Sequence, residues 1–113
     1  ESFGLAVIEA LVVGTPVIIT PGVPLAPLVS RFEVGWVPDM EHQAIVGSLT
    51  LALDAFDDTV GMAARRKRAA HLVRQHLTWE RAAERIMMVY DAILAGRPLP
   101  TFGLDTIQRD TGM

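Results

Sequence analysis

The sequence predicts an α/β fold of short parallel strands with flanking helices, helix-rich in its C-terminal half. Three observations predict it. An apolar helical segment ends at a glycine and runs at once into the β-branched stretch Thr15-Pro16-Val17-Ile18-Ile19-Thr20. A segment punctuated by proline and glycine over 21–38 follows, and within it Gly35-Trp36-Val37 reads as a last, brief strand. After it come helical patterns, ended by Gly96 and Pro98.

Each element has a local reason. Phe3 to Val13 is apolar on nearly every side, so a helix there is expected to be buried on most of its surface, with Gly14 as a left-handed C-terminal cap. The run from Thr15 to Thr20 is expected to be a buried strand, and Leu25 to Arg31 one short helical turn. Asp39 is a candidate N-cap with Glu41 in the first turn, followed by the helical spacing of Ile45, Leu49, Ala52, Leu53 and Phe56. Asp57 or Asp58 starts another helix that runs to about Leu77. Thr78 caps the last one, striped by Trp79, Ala82, Ala83, Ile86, Val89, Tyr90 and Ile93, a pattern expected to be core. Residues 96–113 lack periodicity and are expected to be loosely ordered or docked on a part of the protein outside this sequence.

Composition narrows the function. At 113 residues, half of them hydrophobic and a fifth charged, the chain suits one small domain and not two. The absence of cysteine excludes disulfides and thiolate chemistry and fits a reducing interior. A net charge of −3 offers no general attraction to nucleic acid or anionic lipid. No apolar stretch is long enough to cross a bilayer, and no signal peptide is expected from the opening Glu1-Ser2-Phe3-Gly4. His42, His71 and His76 have no metal-ligand spacing, and Ser2, Ser30 and Ser48 no nucleophile-elbow context. Arg65-Arg66-Lys67-Arg68 spans a whole helical turn, so it reads as a solvated surface in preference to a phosphate, lipid or nucleic-acid patch.

The segment that carries chemistry is the first one. Glu1 and Glu9 are separated by seven residues, and a loop turns into a helix between them, with Ser2 or Phe3 near the cap. The first amides of such a helix have no internal partner and, with the macrodipole, favour an anion such as a diphosphate. Gly4 would let a ligand approach the backbone closely. Glu1 lies beside that anion site, where a sugar joined to the phosphate would sit. Glu9 lies about 7–9 Å further along the axis, at the distance of a ribose whose vicinal hydroxyls a carboxylate can accept from. Taken singly, Glu1 reads equally well as an acid near a helix start and Glu9 as a solvent-facing residue. The joint pattern, closing in Gly14-Thr15-Pro16-Val17, favours the ligand reading.

The stretch from Glu1 to Thr20 resembles the E-x7-E signature of family 4 glycosyltransferases, the group 1 type, which are retaining enzymes of GT-B fold. The family pattern, E-G/S-F-G-L-x-x-x-E-A-x-x-x-G-x-P-V-I-x-T, is matched at every fixed position. Weaker similarity continues through Gly22-Val23-Pro24, Gly35-Trp36-Val37 and Trp79-Glu80-Arg81-Ala82-Ala83. The resemblance implies that residues 1–95 are the distal part of a Rossmann-like, GT-B C-terminal nucleotide-sugar-binding domain. It implies transfer of a sugar from a nucleotide diphosphate to an acceptor with retention and without a metal or other cofactor. Glu1, the residue assigned to catalysis, would place the donor sugar. The backbone at Ser2, Phe3, Gly4 and Leu5 would contact sugar and diphosphate, and Glu9 would bind the ribose. The family often carries an acid after the Val-Pro of the next loop, where this chain has Leu25.

The motif begins at residue 1 and no initiator methionine precedes it, so the chain is expected to be a fragment. The phosphate-clamping Arg/Lys pair and the acceptor domain of the family would then lie upstream. The fragment alone is expected to bind donor weakly and transfer nothing. The implied partners are a nucleotide sugar, a sugar, lipid or small-molecule acceptor, and an N-terminal domain of the same protein, with no nucleic acid. A cytoplasmic location is expected, with the inner membrane face as an option for the parent protein. Two rival readings are another GT-B enzyme, such as a sugar-nucleotide epimerase or a phosphorylase-like enzyme, and a non-catalytic module that binds partners through its basic or its last helix.

Overall fold

The computed structural model describes residues 3–107. Its order is α1 (Leu5–Val12), β1 (Val17–Ile18), α2 (Ala26–Arg31), β2 (Gly35–Trp36), α3 (His42–Asp57), α4 (Thr59–His76), α5 (Trp79–Ala95) and a 3-10 turn (Leu104–Thr106). The fold is mixed α/β and dominated by helix. The two strands pair in parallel, Val17 opposite Gly35 and Ile18 opposite Trp36, with α2 in the crossover that a parallel pair requires.

The strand expected over 15–20 is shorter and less buried than the sequence suggests. Pro16 and Pro38 bracket the ladder from opposite strands, and a proline has no amide to donate. Pairing is therefore confined to Val17–Ile18, extended at its ends by Val17 N–H to Val34 O and Ile19 N–H to Trp36 O. Ile18 stays 36% exposed, since no third layer covers its side of the sheet among the described residues. Close approach makes Gly35 obligatory: a β-carbon there would lie 2.0 Å from the Val17 carbonyl oxygen.

The core lies between α1, α2 and α4. Leu11, Leu25, Leu28, Val29, Phe32, Val34, Ala69, Leu72 and Val73 are all buried in it. α4 is the spine of this core and turns Met62, Ala69, Leu72 and Val73 inward, a helical spacing. Asp58 caps it by accepting from the Gly61 amide at 2.9 Å. Ile107 also joins the core, and Arg31 Nη1 donates to the carbonyls of Leu104 and Ile107, so residues 104–107 dock on α2 of this same chain. Residues 108–113 lie outside the described ones.

Two further expectations need correction, the cap of α3 and the core stripe of α5. The N-cap of α3 is Glu41, not Asp39, because a tight turn from Glu41 N–H to Asp39 O sets Glu41 in extended backbone before the helix. On α3 the face turned inward is Ile45, Ser48, Ala52 and Ala55; Leu49, Leu53 and Phe56 remain 48%, 68% and 58% exposed. The same holds on α5, whose inward face is Ala82, Arg85, Val89 and Ala92 while Trp79, Ile86, Tyr90 and Ile93 face outward.

The basic run is neither a free patch nor a merely solvated face. Arg68 donates to the carbonyls of Phe32 and Glu33 at 3.0 and 2.9 Å, Arg65 to Glu33 O at 3.0 Å, and Arg66 to Gly14 O at 3.3 Å. These carbonyls stand at or just beyond the ends of α2 and α1, where no intrahelical donor remains. Arg65 also stacks on Trp36, 4.6 Å from the ring centroid. Lys67 alone of the run is simply exposed.

Arg68→Ala is therefore expected to lower stability by about 2 kcal/mol, the scale of hydrogen bonds from a charged donor. Lys67→Ala should stay within about 0.5 kcal/mol of the parent. Urea midpoints for the two variants check this, and equal effects would refute the assigned role.

Candidate functional site

The helix that carries the motif begins at Leu5, two residues after its first apolar residue, Phe3. Gly4 is the N-cap of α1, in left-handed backbone at φ 97°, and its carbonyl accepts from the Val7 and Ile8 amides. The cap is thus Gly4, the residue after Phe3. The Leu5 and Ala6 amides find no acceptor among the described residues, as expected for a first turn without a capping side chain. Glu1 and Ser2, the motif's opening residues, lie outside the described residues.

Gly4 differs from expectation in what surrounds it. It is buried, and a β-carbon there would meet Val23 Cγ1 at 3.3 Å and Leu25 Cδ1 at 3.5 Å. The missing side chain makes room for the protein's own loop and not for a ligand. Leu25, which takes the position where an acid was the family expectation, is 1% exposed and belongs to the core. Gly14 closes α1 in left-handed backbone at φ 80°, as its place after the apolar run suggests.

α1 is less buried than an all-apolar helix suggests. Leu11 is its buried residue, and Val7, Ile8 and Val12 pack partly on the core. Leu5, Glu9 and Val13, at four-residue intervals, form an open stripe on the opposite side. Glu9 therefore sits on the exposed face, and among the described residues nothing hydrogen-bonds its carboxylate.

That face is one wall of a cleft of about 390 Å³. Phe3, Leu5, Ile8 and Glu9 line it on one side; His76, Leu77, Thr78, Trp79, Ala82 and Arg85 line it on the other, at the corner between α4 and α5. The corner is held by local chemistry. Thr78 accepts from the Arg81 amide at 3.2 Å, and Arg81 and Arg85 reach back to the carbonyls of Gln75 and His76. His76 also meets Phe32 edge to face, with centroids 6.2 Å apart, which ties the corner to the core. The lining is mostly apolar, with one carboxylate and one guanidinium, and its volume falls in the range of small-molecule sites. Of the expected site residues, the structure brings Phe3, Leu5 and Glu9 together here and leaves Gly4 behind them in the core. The α4–α5 wall is absent from the sequence reading, because nothing local links residues 76–85 to residues 3–9.

A second hollow of about 330 Å³ lies between α5 and the tail, lined by Met88, Asp91, Ala92, Arg97, Pro98 and Pro100. Among the described residues no group of His, Asp and Glu is placed to hold a metal, and no helix is long and apolar enough to cross a membrane.

The chain is thus a helix-rich α/β protein with an amphipathic cleft at the tip of its first helix. It matches no known protein family, no curated protein and no solved structure.

Replacing Gly4 by alanine is expected to lower stability by about 1–2 kcal/mol through left-handed backbone strain alone. Thermal or urea unfolding in the absence of any ligand tests this. Unchanged stability would return Gly4 to a purely ligand-facing role.

Proposed function

We propose that this chain is the distal part of the nucleotide-sugar-binding domain of a retaining glycosyltransferase. In this reading it belongs to a Rossmann-like GT-B domain, and the parent protein moves a hexose-like group from a nucleotide diphosphate to an acceptor. The observation that carries the reading is Glu9. It stands on the open stripe of α1, lines the cleft, and has no partner for its carboxylate among the described residues, while the Leu5 and Ala6 amides, without an acceptor among those residues, lie at the tip of the same helix.

The chemistry follows from that arrangement. A diphosphate at the helix tip accepts from the open amides and gains from the macrodipole. A ribose beside it donates its vicinal hydroxyls to Glu9. Glu1, next to the phosphates in sequence, places the donor sugar. Preorganised amides stabilise the diphosphate leaving group as the glycosidic bond breaks, without requiring a divalent ion. The upstream basic pair and the acceptor domain are supplied by residues outside this sequence, so the chain alone binds donor weakly and does not transfer. The outward stripe of α5 supports the same reading, since a further domain would cover it. The cytoplasm, where nucleotide sugars are made, is the proposed location.

The rival reading as a partner-binding module loses one of its two surfaces. The arginines of the basic helix already hold backbone carbonyls of α2 and of the α1 terminus.

Calorimetry with UDP-, GDP- and ADP-glucose tests the proposal. At least one should bind, and Glu9→Gln should weaken it about tenfold or more, as hydrogen bonds to an ionised group contribute about 1.5–3 kcal/mol net. Equal affinity in the variant would remove Glu9 from the ribose role.

A further inference from the structure

Among the described residues nothing covers one long side of α3. Ile45, Ser48, Ala52 and Ala55 turn inward, and beside them runs a second stripe of Val46, Leu49, Leu53 and Phe56. All four residues of that stripe are exposed, although a solvated helix face is ordinarily polar. Their spacing of three, four and three is that of a coiled-coil seam, the a and d positions of a heptad. The helix has 16 residues, a length of about 24 Å, so the seam takes up most of it. The charges of α3 are lopsided. It holds no Lys or Arg, and Asp54 and Asp57 stand in its last turn, against the negative end of the helix dipole. At the other end, the amides of His42, Gln43 and Ala44 have no acceptor among the described residues, and no side chain caps them.

We infer that this seam is a homodimer contact, in which α3 packs antiparallel on α3 of a second copy of this chain. The inference stands apart from the donor-site reading. Self-complementarity carries it, and in one orientation. A single antiparallel register covers the whole stripe, with Val46 of each copy on Phe56 of the other and Leu49 on Leu53. The smallest side chain then faces the largest, so the layers of the seam fill evenly. The same register sets Asp57 of each copy beside His42 and Gln43 of the other, next to the open first-turn amides. There the carboxylate gains N–H donors and the positive end of a helix dipole, which its own helix denies it. A parallel pair would instead place Phe56 on Phe56, Val46 on Val46 and Asp57 on Asp57, where like charges repel. Each copy gives and receives the same contacts, so the antiparallel pair closes as a two-fold dimer. The open face of α5 is a different surface, the one that a further domain covers in the donor-site reading.

Sedimentation equilibrium of the chain from about 1 μM to about 1 mM tests this. A seam this short buries less area than most stable dimers, so half-association is expected at about 10–100 μM. Leu49→Lys and Leu53→Glu should each raise that concentration about 30-fold or more, because each puts an unpaired charge into the seam. Mixed in equal amounts, the two variants should associate to within about threefold of the parent chain. In the mixed pair the new lysine of one copy faces the new glutamate of the other, and the second middle layer keeps both leucines. Both positions are exposed, and far-UV circular dichroism checks that the variants fold. Ile86→Glu, on the open face of α5, should leave the dimer unchanged. A parent chain that stays monomeric across the whole range overturns the inference, whatever the variants do. So does a dimer that Ile86→Glu breaks and Leu53→Glu leaves whole. Dissociation in both single variants with no recovery on mixing overturns the antiparallel pairing.

Discussion

Much of this structure hangs on guanidinium groups of α4 that close the open ends of two short helices. α2 has six residues and α1 eight, lengths at which an isolated helix does not hold its shape in water. The carbonyls just past their ends, at Gly14, Phe32 and Glu33, accept from Arg66, Arg68 and Arg65 of α4. The bond from Arg66 to Gly14 holds the far end of α1 against the spine, while Leu72 and Val73 fill the space beneath. Glu33, in left-handed backbone at φ 52°, is kept in that conformation by Arg65 and Arg68 at its carbonyl. Hydrophobic burial and charged hydrogen bonds thus act at the same seam.

This seam places the cleft. α1 is pinned along α4, so its open stripe runs toward the corner where α4 ends and α5 begins. Thr78, Arg81 and Arg85 shape that corner through local hydrogen bonds, and the ring contact between His76 and Phe32 joins it to the core. The cleft wall is therefore built by the same contacts that stabilise the fold, which gives a ligand a preformed surface.

The outer faces of α3 and α5 carry large apolar residues, while the one fully buried residue on each is an alanine, Ala52 or Ala92. Leu53 at 68%, Tyr90 at 56% and Leu94 at 87% exposure put much apolar area in contact with water. Exposed apolar helix faces of this kind mark an interaction face or an aggregation liability. It also explains the elongated outline of 54 × 30 × 23 Å, since α5 projects with Ala92 as its buried residue.

Helix ends were legible in the amino-acid sequence because their chemistry acts within about four residues. Gly14 and Gly96 as left-handed closures, Asp58 and Thr78 as caps, and the brief strand at Gly35-Trp36 all follow from neighbours along the chain. The open stripe with Glu9 at its centre is half legible: the motif names the residue, but α1 is apolar on too many sides to say which one is exposed. Tertiary structure alone decided that question, which faces of α3 and α5 turn inward, the burial of Gly4 against Val23, and the partners of the arginine run. The physical reason is sequence distance. Arg66 meets Gly14 across 52 positions and Arg31 meets Ile107 across 76, and no local propensity encodes a contact that depends on how the whole chain closes.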